Sequence, residues 1–309
     1  MIEVQSLSRY YGTHRAVDDV SFSVKEHAVV GLLGLNGAGK TTTLKVLAGL
    51  LAPSTGTVRI DGVDLADAPV GFRKQIGFLP ETPPLYDEMT VREFVRYVAQ
   101  LRGLSGAEAD ARFPDVVQKA HLQGFEDRVI SELSHGYRKR VGIAQVIIHK
   151  PRVVILDEPI SGLDPKQIVE MREVVKGLAV DSTVFVSSHI LSEIQHTCSR
   201  VLVLHDGKLV ADGAPAALAH RASGASLLLG LTGDPAAATA ALAAHPSVTG
   251  HTVTAGDDGR LEATVELSTD DREALVAALV AAGLGLRRLE DTQDELEEIF
   301  MGLTKRGDA

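Results

Sequence analysis

Nine residues, Gly34 to Thr42 (GLNGAGKTT), constrain this chain more than any other stretch. They follow the apolar run Ala28 to Leu33 and lead into a helical pattern carried by Leu44, Val46, Leu47 and Leu50, so the order is strand, glycine loop, helix. The stretch fits G-x-x-x-x-G-K-[ST], with Gly34, Gly39, Lys40 and Thr41 at the required places. Gly34, Gly37 and Gly39 let the backbone take positive φ and turn successive N–H groups inward, which makes a nest for anionic oxygens. Leu35, Asn36, Ala38 and Thr42 complete the loop. The following helix directs its dipole and unpaired N–H groups at the same point, where a β-phosphate fits. Lys40 then bridges β- and γ-phosphates, and the Thr41 hydroxyl takes one Mg²⁺ position. The bland alternative is a glycine-rich turn with a chance lysine.

At 309 residues the length suggests two domains, and 45% hydrophobic residues supply full cores. Cys198 is the single cysteine, so no internal disulfide forms, which fits a reducing compartment. No secretory leader follows Met1, and the longest apolar run, Ala274 to Leu286, falls short of a membrane span, so no direct membrane insertion is expected. Residues 225 to 309 hold 15 Asp and Glu against 6 Lys and Arg, nearly all of the net charge of −10. A nearly neutral front part and an acidic tail argue against nucleic acid as a partner, and the charge shift marks a domain boundary.

In chain order, residues 2 to 7 and 20 to 24 alternate as half-buried antiparallel strands, with RYYGTHRAVDD as their connection. Tyr11 could offer its ring to an adenine with Val17 as apolar neighbour, or pack on its own sheet. PSTGTVRIDG reads as a turn and a strand. Ile76 to Val91 reads as a proline-rich loop on which Leu85, Tyr86 and Met89 either form a docking surface or cap a neighbouring helical region. Thr90 to about Gly124 is helical, with Val91, Phe94, Val95, Val98 and Leu101 on its apolar stripe. Ser134 caps a further helix and leaves its N-terminus facing outward. VVILDEP, residues 153 to 159, reads as a buried parallel strand that delivers two acids to the carboxyl edge of a sheet. There Asp157 suits Mg²⁺, directly or through water, and Glu158 suits a base for the attacking water. TVFVSSH ends at His189, either a γ-phosphate contact or a structural histidine.

Taken in order, Tyr11, GLNGAGKT (Walker A), LSHGY at 133 to 137 (signature), VVILDE at 153 to 158 (Walker B), SGLD at 161 to 164 (D-loop) and His189 resemble the nucleotide-binding subunit of the ATP-binding cassette (ABC) transporters. The likeness covers residues 1 to about 215. It implies an α/β P-loop NTPase of the ABC ATPase fold over residues 1 to 220. That fold has a RecA-like core, an antiparallel β subdomain and a helical subdomain at about 88 to 145. The resemblance also implies an ATPase whose two copies close head to tail on ATP and Mg²⁺. In that arrangement Ser134, His135, Gly136 and Asp164 lie across the dimer interface, with Ser134 and Gly136 facing the γ-phosphate held by the other copy, and Glu158, His189 and Lys40 serve catalysis. It further implies a separate multi-span permease and a place on the cytoplasmic face of the inner (plasma) membrane, held through that permease. Two departures stand out. His135 and Tyr137 replace a glycine and the glutamine of the usual LSGGQ, and Glu81 replaces the glutamine expected near the Mg²⁺. LPETPPLY, LSHGYRKR and ELEEIFMGLT are similar to the branch of gliding motility, nitrous-oxide-reductase maturation and drug or lipid export, which implies an ABC-2-type exporter.

The tail, 225 to 309, reads as βαββαβ, a small α+β ferredoxin-like accessory domain. It ends in a helix with Leu296, Ile299, Phe300 and Leu303 on one stripe, free either to dock on the paired subunit or the nucleotide domain or to pack on its own sheet. Two other functions fit the same motifs: a soluble ABC ATPase acting on ribosomes or DNA, and a regulatory module that binds ATP through a degenerate signature. About 94 residues without a heptad run separate Lys40 from Ser134, which disfavours the first. Glu158 and His189 argue against the second.

Overall fold

The computed structural model describes residues 1–215, 218, 226–256, 260–269 and 271–291. The chain divides into two compact units, Met1–Pro215 and Ala216–Ala309.

In the first unit, β1 (Ile2–Tyr11) and β2 (His14–Val24) form a hairpin. Its turn passes Gly12 at φ 60°. The expected strands were too short, and the segment read as their connection is two hairpin arms. The ladder runs on to Tyr11 opposite His14 through several register shifts, and each shift interrupts the side-chain alternation on which a sequence reading depends. With β4 (Thr55–Ile60) and β5 (Val63–Asp64) this hairpin makes an antiparallel sheet in the order β2-β1-β4-β5.

The second sheet has the order β10-β9-β3-β8-β7-β6. Its strands are β3 (Val29–Leu33), β6 (Ile76–Leu79), β7 (Val153–Leu156), β8 (Thr183–Ser188), β9 (Arg200–His205) and β10 (Lys208–Gly213). All neighbours are parallel except the β9–β10 hairpin. Every residue of β3, β7 and β8 is buried, as strands covered on both faces must be.

The helices of this unit are α1 (Lys40–Leu47), α2 (Pro69–Lys74), α3 (Val91–Leu101), α4 (Gly106–Lys119), α5 (His135–Ile147), α6 (Pro165–Leu178) and α7 (Leu191–Thr197). Strand β6 corrects the reading of Ile76 onward as loop. Only four residues long, it carries a glycine because α5 crosses it closely: a Cβ on Gly77 would stand 2.2 Å from the Val146 carbonyl oxygen. The long helical stretch is two helices, each started by a capping box, Thr90 with Glu93 and Ser105 with Glu108. Leu101, expected on the apolar stripe, is 67% exposed where α3 ends, and Ala99 takes the buried place instead. One apolar cluster, including Leu7, Val20, Leu32, Leu44, Phe72 and Phe185, joins both sheets and α1.

The second unit contains β11 (Ser226–Thr232), α8 (Pro235–Ala244), β12 (Val248–Ala255), β13 (Arg260–Leu267), α9 (Arg272–Ala281) and β14 (Gly285–Asp291). Its sheet is antiparallel in the order β12-β13-β11-β14, the βαββαβ sandwich read from the periodicity. Leu227, Leu229, Leu231, Ala263 and Val265 meet Leu242, Leu275 and Leu279 in its core. The expected terminal helix with Leu296, Ile299, Phe300 and Leu303 lies outside the described residues. Among the described residues no helix is long and apolar enough to cross a membrane.

Candidate nucleotide-binding site

The phosphate loop leaves β3 at the carboxyl edge of the parallel sheet and enters α1. Gly37 and Gly39 take φ 87° and 97°, in the left-handed region where a side chain is strained. Gly34 does not share that conformation. Its need for glycine is steric, since a Cβ there would stand 2.6 Å from the Leu204 carbonyl oxygen. The Lys40 side chain is buried inside the loop and donates to the carbonyls of Gly34 (2.7 Å) and Leu35 (3.3 Å). Burial pulls its pKa below the usual lysine value, against the attraction of Glu158, Asp157 and Glu81.

Strand β7 delivers Asp157 and Glu158 to the same edge, both nearly inaccessible. Ser187, at the end of the neighbouring β8, donates from Oγ to Asp157 Oδ1 at 2.6 Å and accepts the Glu158 N–H at 2.9 Å. The Thr41 hydroxyl lies 3.4 Å from Asp157 Oδ1. Glu158 has φ 48°, unusual for a side chain this size and of the kind that clusters at functional sites. Its carboxylate stands 3.7 Å from Lys40 Nζ and 3.1 Å from His189 Nδ1. The turn that holds His189 is pinned in turn, because Ser188 Oγ donates to the buried Glu193 carboxylate and accepts the Ile190 N–H.

Lys40, Thr41, Glu158 and His189 open on a cleft of about 550 Å³, also lined by Tyr11, His14, Ala16, Leu35, Asn36, Gly37, Gly39, Thr42 and Glu81, while Gly34 and Asp157 lie off its wall. Tyr11 is half exposed, and the Arg9 guanidinium lies 5.1 Å over its ring. Val17 is not its neighbour in the cleft. It is fully buried in the core, and Ala16 and His14 line the cleft, because adjacent strand residues point to opposite faces. Ala38 is likewise buried and lies off the cleft wall. The oxygens of Thr41, Asp157 and Glu81 are hard ligands. Among the described residues no group of three or more His, Cys, Asp and Glu gathers as a metal cage. That sparse, all-oxygen set fits Mg²⁺, which binds through one or two carboxylates together with substrate phosphates and water.

The signature residues do not line this cleft, and neither does Asp164. Ser134 stands at the start of α5, exposed, and its side chain makes no capping hydrogen bond, contrary to its expected role as a cap. Gly136 is buried where α5 meets α6, so a Cβ there would stand 2.7 Å from Gln167 Oε1. His135 reaches toward the D-loop: its Nε2 would lie 3.5 Å from a Cβ on Gly162. Tyr137 stacks on Phe125 with ring centroids 3.9 Å apart, beneath the Arg140 guanidinium at 5.0 Å. Asp164 caps α6 by accepting the Gln167 N–H. Met89 and Leu85 are half-buried, while Tyr86 is exposed and packs edge-on against Phe94 and Tyr97.

Sequence reasoning missed Ser187, Ser188, Glu193 and Lys139. Lys139 left one usable signal, because it falls three residues after Gly136 and four before Ile143, on the buried stripe of α5.

A P-loop core at a parallel sheet edge, flanked by an antiparallel sheet and a helical insert, defines an ABC-type nucleotide-binding unit. The family model for the ABC transporter matches residues 17–161. The Nod factor export ATP-binding protein I of Burkholderia orbicola is 34% identical over 306 residues, 99% of this chain and 97% of that protein. The bacitracin transport ATP-binding protein BcrA of Bacillus licheniformis is 37% identical over 212 residues, 68% of each. The dimeric post-hydrolysis structure of the ATP-binding cassette MJ0796, bound to ADP and Pi, superposes with TM-score 0.63 and 25% identity over 70% of this chain and 99% of that one. The chain belongs to the ABC transporter family as an ATP-binding subunit. It is an ATPase.

Proposed function

We propose that two copies of this chain close head to tail around two MgATP and thereby drive a separate multi-span permease of the ABC-2 exporter type. The observation that carries this reading is the division of the site. Lys40, Asp157, Glu158 and His189 converge within one chain, whereas Ser134 and Gly136 stand off the cleft at an uncapped helix start. A helix N-terminus attracts anions, and in this arrangement the γ-phosphate held by the second copy satisfies it.

In the closed site the phosphate loop and Lys40 bind the β- and γ-phosphates. Thr41 and Asp157 would hold Mg²⁺ with Glu81 nearby, and the ion would supply positive charge against the charge developing on the transferred phosphoryl. Glu158 accepts the proton of the attacking water, His189 contacts the γ-phosphate, and Asp164 faces the second copy. Closure excludes water other than the nucleophile, and the separated charges of ADP and phosphate reopen the pair. Leu85, Tyr86 and Met89 form part of the surface that receives the permease, which holds the chain at the cytoplasmic face of the inner membrane. Export is the direction carried by the full-length relative, and the gliding-motility and nitrous-oxide-maturation group is the branch we favour.

Replacing the base tests the reading. Glu158→Gln should lower ATP turnover by about 10²- to 10⁴-fold, the usual share of a general base, and leave an ATP-trapped dimer visible by size-exclusion chromatography with MgATP. Parent-rate turnover in that variant would remove Glu158 from the role. Purification from membranes should bring down a polytopic protein, whose identity settles the permease.

A further inference from the structure

Lys139 lies in α5, two residues beyond the signature, and is 2% exposed. Its Nζ donates to two backbone carbonyls outside that helix, those of Glu158 (2.8 Å) and Ser161 (2.7 Å). A buried ammonium is costly unless such partners satisfy it, and burial pulls the Lys139 pKa down against the attraction of Glu81, Glu158 and Glu193.

The acceptors are the significant part. Glu158 holds a left-handed conformation that is strained for a side chain and persists only where the surroundings over-determine it. Its N–H is fixed by Ser187 and its carbonyl by Lys139, so the two peptide groups on either side of the strained residue are both clamped. The second acceptor, Ser161, opens the SGLD turn whose Gly162 faces His135. One side chain therefore joins the helix that starts at Ser134 to the backbone of the base and to the D-loop. Any shift of α5 along its axis carries Nζ with it and pulls on both carbonyls.

We propose that Lys139 is a positioning residue that transmits engagement of the α5 N-terminus by nucleotide held in a second copy to the Glu158 carboxylate of its own chain, coupling the two sites of the pair. This deepens the head-to-tail reading and rests on it. Lysine suits the task because its ammonium carries three donors on a long stem. A methionine of similar length keeps the packing and removes both donations, leaving the Glu158 carbonyl only the longer bond from the Ser161 N–H at 3.3 Å.

The test uses the full chain, with ATP turnover followed across ATP concentration for the parent, Lys139→Met and Lys139→Arg. ADP affinity is measured in parallel by calorimetry. We expect the parent to show a Hill coefficient above 1. Lys139→Met should lower kcat at least tenfold and bring the Hill coefficient to about 1, with ADP affinity within twofold of the parent. Lys139→Arg, whose guanidinium also donates to two carbonyls, should recover at least a third of kcat and the cooperativity. A parent Hill coefficient of 1, or Lys139→Met with parental kcat and cooperativity, would overturn the coupling. Loss of ADP binding together with kcat would reduce the residue to core support and overturn it equally. Absence of an ATP-trapped dimer in Glu158→Gln would instead bring down the head-to-tail reading, and the coupling with it.

Discussion

Helices α3 and α4 begin as α5 does, with a serine or threonine, yet they treat their ends in opposite ways. Thr90 and Ser105 each accept the N–H of the third helical residue, and Glu93 and Glu108 reach back to close the box. At α5 the third residue is Tyr137, which has no carboxylate to return and stacks on Phe125, and the Ser134 hydroxyl makes no capping bond. The contrast teaches that a helix start left open beside well-capped ones is available to an external anion, which in the proposed pair is the phosphate of the second copy's nucleotide. The sheet edge shows the converse. Lys40, Glu158 and His189 interlock within one chain, so in the proposed pair this half grips the nucleotide with groups of its own.

Three measurements press on that division. The largest effect should come from Ser134→Glu, which sets a carboxylate against the incoming γ-phosphate. Turnover should fall at least about 100-fold, the scale of a repulsive charge in a dry site, while ADP affinity of the single copy stays within twofold. Equal losses in both would erase the contrast between the two halves. Lys40→Ala attacks the self-sufficient half. Loss of a charge-assisted bond worth about 1.5–3 kcal/mol should weaken ADP binding by about 10- to 150-fold in calorimetry. The smallest effect separates the site from the fold beneath it. His149, just past α5, bonds the Ile76 carbonyl through Nε2, and burial together with Arg102 and Arg112 pulls its pKa down to about 4. The folded state therefore refuses a proton that the unfolded chain accepts below about pH 6.5. Stability should fall as pH drops from there to about 4, by at most about 3 kcal/mol, and change no further below. Urea midpoints followed across that range should show this slope in the parent and a flatter one in His149→Gln, whose amide still donates to Ile76.

Much of the site was legible because its parts are consecutive. The glycine loop, the acids that end an apolar run and the histidine that ends another each carry their meaning within a few residues. Legibility failed wherever meaning depended on adjacency. Ser187 reads as one more polar residue until β8 lies beside β7 and sets it against Asp157. Lys139 reads as part of a basic cluster, Arg138 to Arg140, until α5 packs over the turn after β7. Val17 and Ala16 differ by one position, and only the actual pairing of β1 and β2 says which faces the cleft. Strand β6 escaped notice because four residues followed by three prolines give too short a period to count.

By itself the sequence determined a phosphate-loop motif after an apolar run, a second apolar run that ends in paired acids, a shift of charge along the chain, and a βαββαβ periodicity in the acidic tail. Those follow from local rules, since φ preferences, side-chain charge and periodicity act over a few residues. The tertiary structure decided which groups hold one another. It placed Lys40 against Glu158, clamped Glu158 in a left-handed conformation between Ser187 and Lys139, and left the Ser134 hydroxyl without a capping bond. Hydrogen bonds and ion pairs act over a few ångströms in space regardless of distance along the chain, so no reading of neighbours in sequence can supply them.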